Sequence, residues 1–258
     1  HEEESFFVSM TDIMVGLLFI FLIIIVYFAY QMKKEHRATE SYAEAAQRQG
    51  TRVLTEIEKI LRRKGIKVEV DKKQGILRLP EGVLFASGKS EIPNPSEAYN
   101  ATLEVSEAFY KVLKCSVLIK NINSFSKTKE TDCILGNAEG AFVDSIFIEG
   151  HTDSKPMLGL KGGNLSLSSK RAVNTYLLMT KHQKLKTYYS PDKKEIFGVS
   201  AFGETRPIKL NNTNENRKAN RRIDIRLIMF IPGSKRTLDN FKKRLCNEFN
   251  YSKYCSSS

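Results

Sequence analysis

A chain of 258 residues, 41% of them apolar, is long enough for one or two domains that bury real hydrophobic cores. Its net charge of +12, from 41 Lys and Arg against 29 Asp and Glu, suits an anionic lipid surface, a nucleic acid or an acidic polymer such as a cell wall. The basic residues are mixed with acids, and there is no Arg-rich helix, RNA-binding strand signature or zinc-finger spacing, so nucleic acid is set aside as a partner.

The longest apolar run, FFVSMTDIMVGLLFIFLIIIVYFAY, extends from Phe6 to Tyr30. As a helix of about 25 residues it would cover about 37 Å, enough to cross a bilayer. It is longer and bulkier than a signal peptide and lacks a small-residue cleavage site, so it reads as a retained anchor. The chain starts at His1 rather than Met, and residues upstream are expected.

Residues 33–64 are rich in Glu, Lys, Arg, Ala and Gln without Pro, with Val53, Leu54, Ile57, Ile60 and Leu61 at helical spacing. They predict a helical stalk or linker whose apolar stripe meets the same stripe of a second copy. IKVEV (66–70) and GILRLP (75–80) alternate like two strands, and a helix is expected over 96–113, opening at Ser96. Residues 115–141 are polar and weakly patterned and read as an insertion loop. Strands follow at 145–150, 196–203 and 221–230, with a helix near 166–181 between the first two, and Leu238, Phe241 and Leu245 predict a short packed helix in the tail. Helices between strands imply an α/β sandwich with a mixed sheet, in an α+β chain that starts with one transmembrane helix.

Four cysteines, Cys115, Cys133, Cys246 and Cys255, lie beyond the apolar run, none in a C-x-x-C pair, so a metal site is not expected. In an oxidising compartment the pairings 115 with 133 and 246 with 255 are the simplest of three connectivities; otherwise the four remain thiols.

Asp12 is an acid inside the apolar run. A charged Asp at the bilayer centre costs about 2.5–3.5 kcal/mol on insertion scales, so such residues tend to face protein or water and to serve function. Ser9, Thr11 and Gly16 beside it are small or hydroxylated, which allows close helix approach and hydrogen bonds to the carboxyl. The alternative is an Asp that merely snorkels or caps the helix. The segment S-M-T-D-I-M-V-G with its following Phe/Leu/Ile run resembles the channel helix of MotB-type stator subunits. That resemblance implies that Asp12 carries ions, that two copies of the helix sit within a ring of a MotA-like multi-span partner, and that the C-terminal half lies in the periplasm, anchored in a bacterial inner membrane. The visible flanks, HEEE before the run and KKEHR after it, argue the opposite orientation by the positive-inside rule; a basic leader upstream would reconcile the two.

Downstream, GHTD (150–153), N-x-x-L-S-x-x-R-A (164–172), G-E-x-x-P (203–207) and NRR (220–222) occur in that order. Together they resemble an OmpA-like peptidoglycan-binding domain over about 66–231. The resemblance implies that Asp153 takes the ammonium and Arg171 the carboxylate of a diaminopimelate residue, with Asn164 and Arg222 as further contacts. The competing reading is a plain salt bridge between Asp153 and Arg171. His151 and Thr152 read as structural. LGLKGG lengthens the loop between Asp153 and Arg171 toward the MotB form. Residues 1–32 then form the ion-carrying helix, 33–64 the stalk, 65–231 the wall-binding domain and 232–258 a helical tail. The function implied is a proton-conducting stator subunit that turns a ring partner. The run VGLLFIFLIIIVYFAY and the cysteine-bearing insertions depart from the flagellar pattern and tilt it toward a Zorya-type anti-phage motor over a flagellar one, with a passive wall tether as a further alternative. No nucleophile–base pair or acid pair falls in a recognisable motif, so neither an enzyme nor a cofactor is expected.

Overall fold

One helix, α1 (Glu2–Arg63), carries the chain from the apolar run into the folded domain. The structure is a computed structural model and describes residues 2–249 apart from 87, 121–124, 127–132, 138–139 and 183. Residues 10–30 of α1 are exposed on every side, and this stretch is long and apolar enough to cross a membrane. A helix apolar all round needs either a protein core or lipid, and here no part of the core covers it.

From Tyr42 onward α1 belongs to the domain. Val53, Leu54, Ile57 and Leu61 are fully buried, with Ile60 packed beside them, against Leu77 and Leu79, Val105, Phe109 and Val112, and Ile225. This corrects the expectation that the stripe pairs with a second copy. Helical spacing encodes that one face must be covered, and the sheet and the helix over 97–113 of the same chain cover it. The exposed stalk therefore shrinks to about nine residues, about 14 Å of helix at 1.5 Å per residue. Gly65, at φ 78°, ends α1: Gly65 N donates to Arg62 O and Ile66 N to Leu61 O, both at 3.0 Å, the Schellman pattern that favours glycine.

Strands β1 (Glu69–Asp71) and β2 (Ile76–Pro80) form a hairpin that runs directly into the short helix α2 (Glu81–Leu84). Helix α3 (Glu97–Leu113) is capped by Ser96, whose side chain accepts from Tyr99 N. Then come β3 (Leu118–Lys120), β4 (Phe125–Ser126), β5 (Val143–His151), α4 (Gly163–His182), a 3-10 turn (Lys184–Thr187), β6 (Tyr188–Tyr189), β7 (Phe197–Gly203), α5 (Asn214–Asn220), β8 (Arg222–Met229) and α6 (Lys235–Phe249). The main sheet has the order β1-β2-β8-β5-β7, with β5 and β7 parallel and the other pairs antiparallel. It is the mixed sheet of an α/β sandwich.

Alternation sorts the sheet's two faces. Leu77, Leu79, Ile146, Ile148, Ile223 and Ile225 enter the core beneath α1, α3 and α4. On the other face Arg78, Glu149, Asp224 and Arg226 meet as cross-strand neighbours.

The segment expected to be an insertion loop holds more order than its pattern suggests: β3 pairs with β4 and β6 in a second, three-stranded sheet. Cys115 and Cys133 are joined, Cα–Cα 5.9 Å. Cys246 is also disulfide-bonded, while Cys255 lies outside the described residues. Helix α6 packs Leu238, Phe241 and Leu245 on Tyr42, Ala46 and Phe142 in a smaller cluster, with Phe241 edge-on to both Tyr42 and Phe142.

Candidate ligand pocket

The four motif segments meet at one end of the sheet because their small and hydroxylated residues interlock. A Cβ at Gly150 would sit 2.1 Å from the Ser168 carbonyl oxygen, so only glycine lets α4 lie this close to β5. Ser168 Oγ accepts from Gly203 N at 3.0 Å, and Thr152 N donates to Gly203 O at 2.8 Å. Asn164, at the start of α4, donates to the backbone oxygens of Asp153 (3.2 Å) and Lys155 (3.0 Å). It therefore closes the loop after β5. Asp153 Oδ1 accepts from Lys155 N at 2.9 Å, the local turn that Asp favours.

A cavity of about 540 Å³ opens here, lined by Asp153, Asn164 and Arg171 together with Glu81, Lys218 and Arg221, among others. Arg171 is 1% exposed, the largest fully buried side chain among the described residues. Its Nε donates to Lys89 O at 2.8 Å and its Nη2 to Glu81 Oε1 at 2.5 Å, and its guanidinium lies over the Phe85 ring. Arg171 and Asp153 do not pair directly. Arg221 joins them: its Nε donates to Glu81 Oε2 and its Nη1 to Asp153 Oδ2 at 2.6 Å. The four side chains form one alternating chain, Asp153, Arg221, Glu81, Arg171. Burial works against the charge on Arg221, but its hydrogen bonds to Glu81 and Asp153 outweigh that and raise its pKa. Breaking one member would leave a buried charge uncompensated, which is costly.

Arg222, expected as a further contact from the sequence, is not among the residues that line this cavity. It lies on the other face of the sheet, where its Nε donates to Asp224 Oδ2 at 3.0 Å and its Nη atoms to the backbone oxygens of Asn220 and Arg206. Arg221 holds the pocket position instead. Beside Arg222, one ligand atom each from Glu149, His151 and Asp224 fall within 4.8 Å of one another, a spacing that could suit a cation. Both Glu149 oxygens are taken by Arg226, at 2.7 and 2.9 Å, and Asp224 Oδ2 is taken by Arg222, while Asp224 Oδ1 and the two His151 nitrogens are buried with no hydrogen-bond partner among the described residues. Three guanidinium groups, with Arg78 Nε 3.7 Å from Asp224, already supply the positive charge, so the donor set fits an ion-pair network and not a metal. His151 is kept neutral there: burial first, then Arg222 and the neighbouring arginines, bring its pKa down to about 3.

Residues 134–221 match the OmpA family, a stretch that contains Asp153, Asn164, Arg171 and Arg221 and ends just before Arg222. That stretch is about a third of the chain, and over it the chain is similar to the OmpA family. The chain is also similar to Motility protein B of Bacillus subtilis (strain 168), 35% identical over 85 residues, which is 33% of this chain and 30% of that protein. It is also similar to protein YtxE of the same organism, 36% identical over 83 residues, 32% of this chain and 31% of that one. The matches thus take in less than a third of either relative's own length. Among solved structures, a MotB-like protein from Desulfovibrio vulgaris superposes with a TM-score of 0.49 at 21% identity, over 75% of this chain and 99% of that one. The periplasmic domain of Helicobacter pylori MotB gives 0.42 at 22% identity, over 68% and 86%.

Two pocket residues, Glu81 and Arg221, were missed by sequence reasoning. For Arg221 a signal existed: alternation along RRIDIR puts Arg222, Asp224 and Arg226 on one face, so the arginine facing the opposite end is the one before them. Glu81 carried no such signal, since 90 residues separate it from Arg171 and 140 from Arg221.

Proposed function

We propose that this chain is the wall-anchored, single-span subunit of an ion-driven motor. The observation that carries the reading is the pocket: an acid and an arginine from separate segments, Asp153 and Arg171, line one cavity in a domain that a continuous helix joins to a bilayer-length apolar run. A diaminopimelate side chain offers an ammonium beside a carboxylate, and an acid and a guanidinium converging on one cavity suit that pair of charges. Asn164 shapes the loop that presents Asp153. In this reading the apolar run of residues 1–32 crosses the inner membrane, and Asp12 is its ion carrier beside a MotA-like ring and a second copy of the chain. Residues 65–231 grip peptidoglycan in the periplasm, with the helix Lys235–Phe249 packed on them. The Cys-bearing 115–141 segment and tail favour a Zorya-type anti-phage motor as the destination. A helicase or nuclease gene beside this one supports that choice, and a flagellar operon overturns it.

The experiment is co-sedimentation of the full chain in detergent with isolated sacculi. A hydrogen bond to a charged group is worth about 1.5–3 kcal/mol, so Asp153→Ala or Arg171→Ala should weaken binding by about ten- to a hundredfold. Undiminished sedimentation of variants that still melt cooperatively would remove the pocket from wall binding.

A further inference from the structure

Resting on the peptidoglycan reading, we infer that Glu81 is a positioning residue that sets Arg171 and Arg221 as one carboxylate-binding pair, with Arg221 a second ligand-binding arginine. Glu81 is 5% exposed, and each of its oxygens accepts from a different guanidinium, Oε1 from Arg171 Nη2 and Oε2 from Arg221 Nε. With Nε of Arg171 on Lys89 O and Nη1 of Arg221 on Asp153, every bond fixes an edge of a planar fork. What remains is Nη1 of Arg171 and Nη2 of Arg221, neither of which has a hydrogen-bond partner among the described residues. Both side chains line the cavity.

A guanidinium recognises a carboxylate through donors in a fixed plane, and one that is 1% exposed has no freedom to search for its ligand. The arrangement therefore selects by position. One buried acid orients two cations and leaves one unpartnered terminal nitrogen on each. The two acids and two arginines balance in charge, so what the pocket holds out to a carboxylate is the pair of unpartnered guanidinium nitrogens. The carboxylate on the far carbon of diaminopimelate is the ligand group this pair takes, and the discrimination it supplies is between that carboxylate and its uncharged amide.

The test is calorimetric titration of the full chain in detergent with the tripeptide L-Ala-γ-D-Glu-meso-diaminopimelate and with the same peptide carrying an ε-carboxamide. The wild type should favour the carboxylate by about tenfold or more, the scale of a charge-assisted bond. In variants that still melt cooperatively, Glu81→Gln, and Arg221→Lys, which keeps the charge but loses the fork, should bring that preference to about twofold or less, with the greater loss on the carboxylate peptide. Equal weakening toward both peptides would make Glu81 and Arg221 merely structural and overturn the inference. So would tighter carboxylate binding by Glu81→Gln, since Glu81 would then be a competitor for the ligand. A wild type that binds both peptides equally overturns the inference alone; one that binds neither overturns the peptidoglycan reading and the inference with it.

Discussion

Leu54 tests whether the second half of α1 is core or free stalk. Its side chain is fully buried in the same cluster as Ile57, Leu77, Phe109 and Ile225, so Leu54→Ala removes three carbons from a site walled by sheet and helix. Substitutions of this kind cost about 2–5 kcal/mol, the lost transfer energy plus the cavity left behind. For a folded unit of roughly 200 residues, where 1 kcal/mol moves the melting temperature by about 2–4 °C, a 3 kcal/mol loss lowers it by about 6–12 °C. The chain contains no Trp but 10 Tyr, of which only Tyr27 and Tyr30 lie in the apolar run, so near-ultraviolet circular dichroism in detergent follows mainly the tyrosines beyond the membrane helix. Leu18→Ala, in the exposed run, should leave that transition where it is. If the stripe instead packed on a second copy, the Leu54→Ala loss would shrink on dilution. A shift below about 2 °C would refute the placement of Leu54 in the core.

Gly150→Ala should unfold the domain or displace α4, because the new methyl would meet the Ser168 backbone oxygen; the measurement is the melting temperature together with sacculus binding, both of which should fall. His151 gives a pH signature. Its folded pKa of about 3 lies below the ordinary 6.5, so below pH 6.5 the unfolded chain takes up a proton that the folded chain refuses. The stability it contributes is therefore full above pH 6.5 and lost as pH falls toward 3, about 2 kcal/mol between pH 7 and pH 5. Asp224, pushed up by burial, works in the other direction. The comparison is thus urea unfolding of the wild type against His151→Gln at both pH values, and the variant should lack the His151 share of the loss.

How much of this was legible in the sequence depends on the range of the interaction. The strand at 221–230 was legible and is β8, and Ser96 announced the start of α3 as a cap. The G-H-T-D and N-x-x-L-S-x-x-R-A segments pointed to the pocket through Asp153, Asn164 and Arg171, all of which line it. What escaped was decided by topology. Strand β8 lies between β2 and β5, so the start of α2 comes beside Arg221, where Glu81 N donates to Arg221 O at 2.9 Å. No local pattern carries that. The strands β3, β4 and β6 are two or three residues long, too short for periodicity to stand out from a polar segment. The stripe on α1 was read correctly as a face to be covered, but spacing does not name what covers it.

The central claim is that ions pass by way of Asp12 while the domain holds the wall. Asp12→Asn is nearly isosteric and cannot release a proton. The most direct measurement is proton flux in proteoliposomes holding the full chain and its multi-span ring partner, wild type against Asp12→Asn, with co-purification of the partner and sacculus binding as controls. The account predicts that the variant assembles with the partner and binds sacculi as the wild type does, and that its flux falls to the level of empty liposomes. Undiminished flux through the assembled Asp12→Asn complex would contradict it.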